Sequence, residues 1–324
     1  MRRAGAVRSS MAKTGWGFFS KRRRRPTGHV ALSLSMDRLA LVVRPADGRP
    51  VRAYERAAGA DIATTLQSLV READAVGMAC EWVLEPGAYS LQQVDKPAVP
   101  PSEWVQALRW KVRDLIGFPI DDAVMDAFEV PGLDSRGRPP TLYLAVARKD
   151  ELRPRIAQIE AAGLQLSRIG ISDLAWAEVV RTVSPGEDSQ AALAIDARGG
   201  TMLAMRENTL FVARRFEFDG DDQRVLREPQ PGRTDRLFER IALELQRTLD
   251  YFDRTHQRPP PRRLLLLAGV EGLDGLGASL RNSLGLEVHG VSPESAWPEL
   301  SGLSESARVR VAALSAVAMG AGRA

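Results

Sequence analysis

From residue 29 onward the apolar positions follow two alternating rhythms. Val30, Leu32 and Leu34 alternate with smaller or polar neighbours, a short polar turn follows at Ser35 to Arg38, and Leu39 to Val43 is apolar again. That pattern predicts a β-hairpin over His29 to Val43, with a third short strand at Val51 to Tyr54. Ile62, Leu66, Leu69, Val70 and Ala73 then recur at three- and four-residue steps, so a helix is expected from Ile62 to Ala75. Trp82-Val83-Leu84 returns to strand character.

A proline-rich stretch, Pro97 to Pro101, opens a new unit. Trp104, Ala107, Leu108, Lys111, Val112 and Leu115 predict a helix from Glu103 to Ile116, with Ser102 as N-cap and Gly117 and Pro119 as the stop. Trp104 and Trp110 read as core or interdomain packing. Strands are expected at Val124 to Val130 and Thr141 to Ala147, flanking a turn-rich stretch, and a helix at Glu151 to Ala162, closed by Gly163.

After Ser184-Pro185-Gly186 the opening pattern restarts. Ala191 to Asp196 is an apolar strand, Gly199-Gly200 its turn, and Thr201 to Met205 and Thr209 to Phe216 the returning strands. Such a repeat predicts two similar α/β halves. An amphipathic helix from Asp235 to Tyr251, a buried strand Leu264 to Ala268 running into Gly269, and a small-residue helix from Arg308 to Met319 complete the chain. The expected organisation is a basic arm at residues 1–28, a first lobe at 29–187 with an inserted small unit at about 97–165, and a second lobe at 188–324.

Charge divides the chain differently. The 324 residues carry 45 Lys and Arg against 41 Asp and Glu, a net charge of +4, but the first 28 residues hold nine bases and no acid, which leaves the remainder at −5. The basic character belongs to the arm, so a nucleic-acid groove across the folded part is disfavoured. Within the arm, Trp16, Phe18 and Phe19 precede Lys21, Arg22, Arg23, Arg24 and Arg25, a pairing of aromatics and cations that suits an anionic membrane surface. At about 1 kcal/mol per base, the five-residue cluster supports reversible attachment only. A solvated leader fits the arm equally well, and nucleic-acid contact is a weaker third reading. The apolar cluster precedes the basic run, the wrong order for a signal peptide, and Met11 offers a second start.

Three scattered histidines and one cysteine, Cys80, exclude a disulfide framework and a thiolate or imidazole zinc site. Cys80 reads as a small core residue. Asp121, Asp122 and Asp126 form an acidic group with no second cluster to complete a metal site. No Walker-type glycine, lysine and serine or threonine loop is present.

The two glycine-turned hairpins resemble the actin and Hsp70-like ATPase fold. More narrowly, the run Leu108-Arg109-Trp110-Lys111-Val112-Arg113-Asp114-Leu115-Ile116-Gly117-Phe118-Pro119-Ile120-Asp121-Asp122-Ala123-Val124-Met125-Asp126, with Glu129-Val130-Pro131 beyond it, resembles the MshI family of MSHA pilus biogenesis proteins, relatives of PilM and FtsA. Ala162-Gly163-Leu164, Ile169-Gly170-Ile171, Leu210 to Arg214, Arg247 to Phe252 and Leu265 to Gly269 support the likeness, which extends from Gly28 to Met319.

In ATP-using members of that fold each hairpin carries aspartate, any residue, glycine. The matching positions here are Ser33 and Ser35 in the first hairpin and Asp196 and Arg198 in the second, with Gly199 and Gly200 following and Gly269 on the adenosine side. The metal-organising groups are thus largely gone, which implies a degenerate, non-catalytic member that at most binds ATP and magnesium weakly through these residues. An active ATPase with an atypical phosphate site is the alternative. The resemblance further implies a cytoplasmic scaffold of a type IV pilus machine, peripheral at the bacterial inner membrane. Its partner would be the N-terminal cytoplasmic peptide of a PilN- or MshJ-like membrane protein, received near Trp110, Phe118 and Asp126.

Overall fold

A computed structural model describes residues 27–113, 115–129, 140–186, 189–256, 260–270, 273 and 275–320. The arm residues Trp16, Phe18, Phe19, Lys21, Arg22, Arg23, Arg24 and Arg25 lie outside the described residues.

The first half contains β1 (Gly28–Leu34), β2 (Arg38–Pro45), β3 (Arg52–Ala57), α1 (Ile62–Glu72), β4 (Ala79–Leu84), β5 (Tyr89–Asp95), α2 (Trp104–Val112), β6 (Ala123–Glu129), β7 (Thr141–Arg148), α3 (Lys149–Ala161), β8 (Gln165–Ile171) and α4 (Ser172–Val183). The second contains β9 (Gln190–Asp196), β10 (Gly199–Arg206), β11 (Thr209–Glu217), α5 (Gly220–Arg227), α6 (Arg233–His256), β12 (Arg263–Ala268), α7 (Leu276–Leu284), β13 (Glu287–Gly290), α8 (Pro293–Ala296) and α9 (Glu305–Gly320).

The sheets make the duplication explicit. One runs β3-β2-β1-β4-β8 and the other β11-β10-β9-β12-β13, so each has an antiparallel three-strand meander joined through its first strand to two parallel strands. A third sheet, β5-β7-β6, forms the insert. It starts at Tyr89, before the expected 97, because the strand after Leu84 pairs with β7 along its whole length. It ends at Arg148, whereas α3 leads back to β8, which pairs with β4 in the first sheet.

Helix α2 is shorter than the expected Glu103 to Ile116. Pro101, Ser102 and Glu103 form a 3-10 turn, so Ser102 caps nothing, and the helix begins at Trp104. Gly163, at φ +94°, closes α3 as the sequence implies.

Each large sheet is covered on both faces. Leu32, Leu39, Leu41 and Trp82 pack with Leu66, Leu69 and Ile159 on one face of the first sheet, while Leu193, Ile241, Leu245 and Leu276 form the matching layer of the second. Between the sheets lie α4 and α9, buried with Ala31, Val42, Ala192 and Leu267. Ala307, Val309, Val311, Ala312, Ala313, Leu314, Ser315, Ala316 and Ala318 of α9 are all buried. A helix buried on most of its surface is mostly apolar, and its alanines let the neighbouring elements approach closely, while Arg308 and Arg310 are ion-paired. Cys80 is fully buried, and burial pushes its thiol far above the usual range, as a core residue requires.

Candidate functional site

The carboxyl ends of β1, β4, β9 and β12 converge, which is where parallel α/β sheets present their functional groups. The residues there are Ser33, Glu85, Asp196 and Gly269.

In the β9–β10 turn, Asp196 Oδ1 accepts the backbone N–H of Arg198 at 2.8 Å and of Gly199 at 3.2 Å. This is an Asx turn: the carboxylate caps its own loop. The glycines beyond it answer to packing. Gly199 has φ +155°, and a Cβ there would lie 2.1 Å from the Phe216 carbonyl oxygen; at Gly200 it would lie 2.3 Å from the Phe216 ring. Both glycines are opposite β11 in the ladder, at Glu217 and Phe216. Gly269 donates its N–H to the Ile195 carbonyl at 3.2 Å, and a Cβ there would lie 2.8 Å from Val309 of α9.

In the first hairpin Ser33, nearly buried, donates to Glu85 Oε1 at 2.6 Å. Ser35 donates to Asp37 Oδ1 at 2.9 Å, and its own N–H is bonded to the Arg38 carbonyl. Arg198 then crosses from the second half: its guanidinium lies 3.1 Å from Glu85 Oε2 and 3.8 Å from Asp37 Oδ1. Burial tends to raise the Asp37 carboxyl, but the Ser35 hydroxyl and the Arg198 charge outweigh it and hold it below the usual range.

The structure links Ser33, Ser35 and Arg198 through Glu85 and Asp37, with Asp196 capping the Arg198 turn, whereas Gly199, Gly200 and Gly269 are buried and packed against Phe216 and Val309. The amides of Ser35, Arg198, Gly199 and Gly269 have internal acceptors. Two carboxylates, Glu85 and Asp37, pair with the Arg198 guanidinium, and a third, Asp196, caps the same turn, an excess of negative charge that repels a polyphosphate unless cations accompany it. Among the described residues no group of three or more His, Cys, Asp or Glu is placed to hold a metal ion. Glu85 escaped the sequence reading; its signal is a carboxylate directly after the apolar run Trp82-Val83-Leu84.

Beside this cleft, Tyr89 and Asp173 form a second polar pair that the sequence did not disclose. Tyr89 donates to Asp173 Oδ2 and lies 3.0 Å from Ser172 Oγ. Burial raises the Asp173 carboxyl, against the opposing pull of Tyr89 and Arg215. A cavity of about 210 Å³ adjoins the pair, between the Pro86-Gly87 turn and Arg214 and Arg215 of β11.

The expected partner-binding residues lie on the insert. Trp110 is 70% exposed, so its reading as core packing is corrected: α2 buries Trp104, Leu108 and Val112, and position 110 points away from that stripe. Trp104 is in the core, with Nε1 donating to the Val99 carbonyl at 3.0 Å. Phe118 is half-buried beneath the Arg148 guanidinium, 5.1 Å from its ring centre, and Asp126 is exposed and accepts the Ala127 N–H at 2.9 Å. Asp126 alternates with Met125 and Ala127, which pack with α2, so it stands on the opposite face of the insert sheet from Trp110, the face that rests on the second half: there Tyr143 donates to the Phe211 carbonyl at 2.7 Å, and Tyr251 of α6 donates to Gln93 of β5 at 2.8 Å.

No protein-family model matches the chain, and no curated protein is similar to it in sequence. Solved structures are similar in fold. A chain of the PilM–PilN type IV pilus biogenesis complex is 20% identical, with 92% of this chain and 97% of that one covered and a TM-score of 0.66. The cytoplasmic domain of EpsL, an inner membrane component of the type II secretion system of Vibrio cholerae, is 14% identical, with 89% and 95% covered and a TM-score of 0.53. A Bacteroides thetaiotaomicron protein with an actin-like ATPase fold is 9% identical, with 82% and 91% covered and a TM-score of 0.51. The chain has the actin-like ATPase fold, with two duplicated α/β halves and a small inserted sheet.

Proposed function

We propose that this chain is a non-catalytic scaffold of a type IV pilus assembly machine, of the MshI and PilM kind, which docks a cytoplasmic peptide of a bitopic inner-membrane partner. The observation that carries the reading is the state of the cleft: hairpin amides that would meet phosphate are bonded internally, and Arg198 is engaged by Glu85 and Asp37. Phosphoryl transfer depends on free amide donors and positioned cations, so a cleft closed on itself has little to offer it. The likeness to the PilM–PilN complex over 92% of the chain supports the pilus context, and the likeness to the EpsL cytoplasmic domain supports a place at the inner membrane.

Among the described residues no helix is long and apolar enough to cross a membrane, so attachment in this reading is peripheral, through the partner and the basic arm. The insert is the proposed receiving surface, with Trp110 of α2 as its exposed anchor, because large exposed aromatics dominate the energetics of peptide capture; Phe118 and Asp126 belong to the same unit, Asp126 on the sheet face away from α2.

The test is calorimetric titration with the N-terminal cytoplasmic peptide of a PilN- or MshJ-like protein from the same organism. Saturable binding, weakened at least tenfold in Trp110→Ala, is expected; no saturable binding would remove the docking function. The competing reading, an active ATPase, draws on Glu85 and Asp196 sharing the cleft. Steady magnesium-dependent ATP hydrolysis abolished by Glu85→Gln would establish it in place of the scaffold.

A further inference from the structure

Arg198 belongs to a longer arrangement than the cleft alone. On the C-terminal helix α9, Arg310 makes a bidentate pair with Glu55 of β3 at 2.8 and 2.9 Å, and both side chains are largely buried, at 16% and 11% exposed. Glu55 also meets Arg38 at 3.4 Å, Arg38 meets Asp37 at 3.5 Å, Asp37 meets Arg198 at 3.8 Å, Arg198 meets Glu85 at 3.1 Å, and Glu85 accepts from Ser33 at 2.6 Å. Charges alternate along the whole chain, from a helix packed between the sheets to the end of β4. It passes from the second half to the first, back to the second at Arg198, and ends in the first at Glu85 and Ser33.

We propose that this ion-pair chain is a ligand-independent latch, with Arg198 as its movable member, holding the two halves together across the cleft. The reasoning is positional. Arg198 sits in the β9–β10 turn, whereas both its carboxylate partners belong to the first half, one in the β1–β2 turn and one at the end of β4. Separating the halves breaks both pairs at once. Its backbone is fixed independently, since Asp196 holds the Arg198 amide and the Phe218 N–H donates to the Arg198 carbonyl at 2.8 Å, so the side chain is presented from a rigid turn. The Arg198 side chain is 53% exposed, which keeps the latch within reach of salt and of competing anions, whereas the Arg310–Glu55 pair is shielded and serves as the fixed anchor.

The experiment is hydrogen exchange, resolved by peptide, on the full chain carrying Arg198→Ala, Glu85→Gln or both. In Arg198→Ala, amides of the β1–β2 turn, in the opposite half, should exchange about two- to fivefold faster, the range expected for a partly exposed ion pair. Glu85→Gln should produce the same pattern, the double variant should add little to either, and high sodium chloride should bring the wild-type protein toward the variants. Acceleration confined to the β9–β10 turn would overturn the latch, as would effects of the two substitutions that simply add.

Discussion

Replacing Asp196 separates a carboxylate that caps a turn from one that organises a bound cation. In the structure its Oδ1 accepts two amide hydrogen bonds, at 2.8 and 3.2 Å, in a half-buried turn. Each such bond contributes about 0.5–1.5 kcal/mol net, and water partly replaces the acceptor once it is removed, so Asp196→Ala should cost about 1–2 kcal/mol. In a chain of this size that lowers Tm by about 1.5–3 °C. Asp196→Asn supplies a neutral carbonyl in the same place, able to accept both N–H groups, and should lose less than about 0.5 kcal/mol. The assay is urea unfolding at constant m-value beside a thermal melt for each variant, with calorimetric titration of magnesium and ATP as a parallel readout. If Asn costs as much as Ala, the charge matters and not the cap. If Ala leaves stability unchanged but removes a measurable magnesium-dependent ATP affinity, the capping argument is refuted.

Three further expectations follow from individual contacts. Gly199→Ala places a methyl 2.1 Å from the Phe216 carbonyl in backbone that L-residues avoid and should cost about 3 kcal/mol or more, whereas Gly269→Ala meets the Val309 side chain at 2.8 Å and should cost about 1–3 kcal/mol; urea midpoints rank the two. Trp104→Ala should lose about 3–5 kcal/mol and Trp110→Ala no more than about 0.5 kcal/mol, so only the latter gives a clean binding assay. For His29, burial first and then the charges of Arg44 and Arg168 lower the imidazole from 6.5 to about 4. The unfolded chain takes up the proton first, so this stability is fully present above pH 6.5 and is lost as pH falls through about 4. The shift bounds it at about 3 kcal/mol, and the partial exposure of His29 reduces that to about 1–2 kcal/mol. His29→Leu, which removes an Nε2 without a hydrogen-bond partner, should flatten the urea midpoint between pH 4 and 6.5; an unchanged slope would exclude His29 as its source.

Much of the architecture was legible because it rests on local pattern. The alternation in Val30 to Leu34 and Ala191 to Ile195, and the three- and four-residue steps of Leu237, Phe238, Ile241 and Leu245, follow directly from which face of a strand or helix is buried. The repeat of hairpin and strand disclosed two matching halves before any sheet order was known. Elements whose hydrophobic faces are mixed were missed: β5 and β8 have mostly half-buried residues on both faces, and α5 carries only three buried positions in one short turn-like helix. The insert boundary went astray for the same reason, since Pro97 to Pro101 is a conspicuous break in sequence but falls inside a unit held together by β5–β7 pairing.

The cleft shows the division most clearly. At positions 33, 35, 196 and 198 the resemblance to the ATP-using fold implied a phosphate site without its usual metal-organising groups. Only the folded molecule decided what those residues do instead, because their partners are distant in sequence. Glu85 lies 113 positions from Arg198, and Glu55 lies 255 from Arg310. Pairings over such separations carry no periodic signal; they arise when the packing of α9 and the two sheets brings strand ends together. The chain determined its halves through local burial, and the tertiary structure determined, through long-range contact, what the space between them holds.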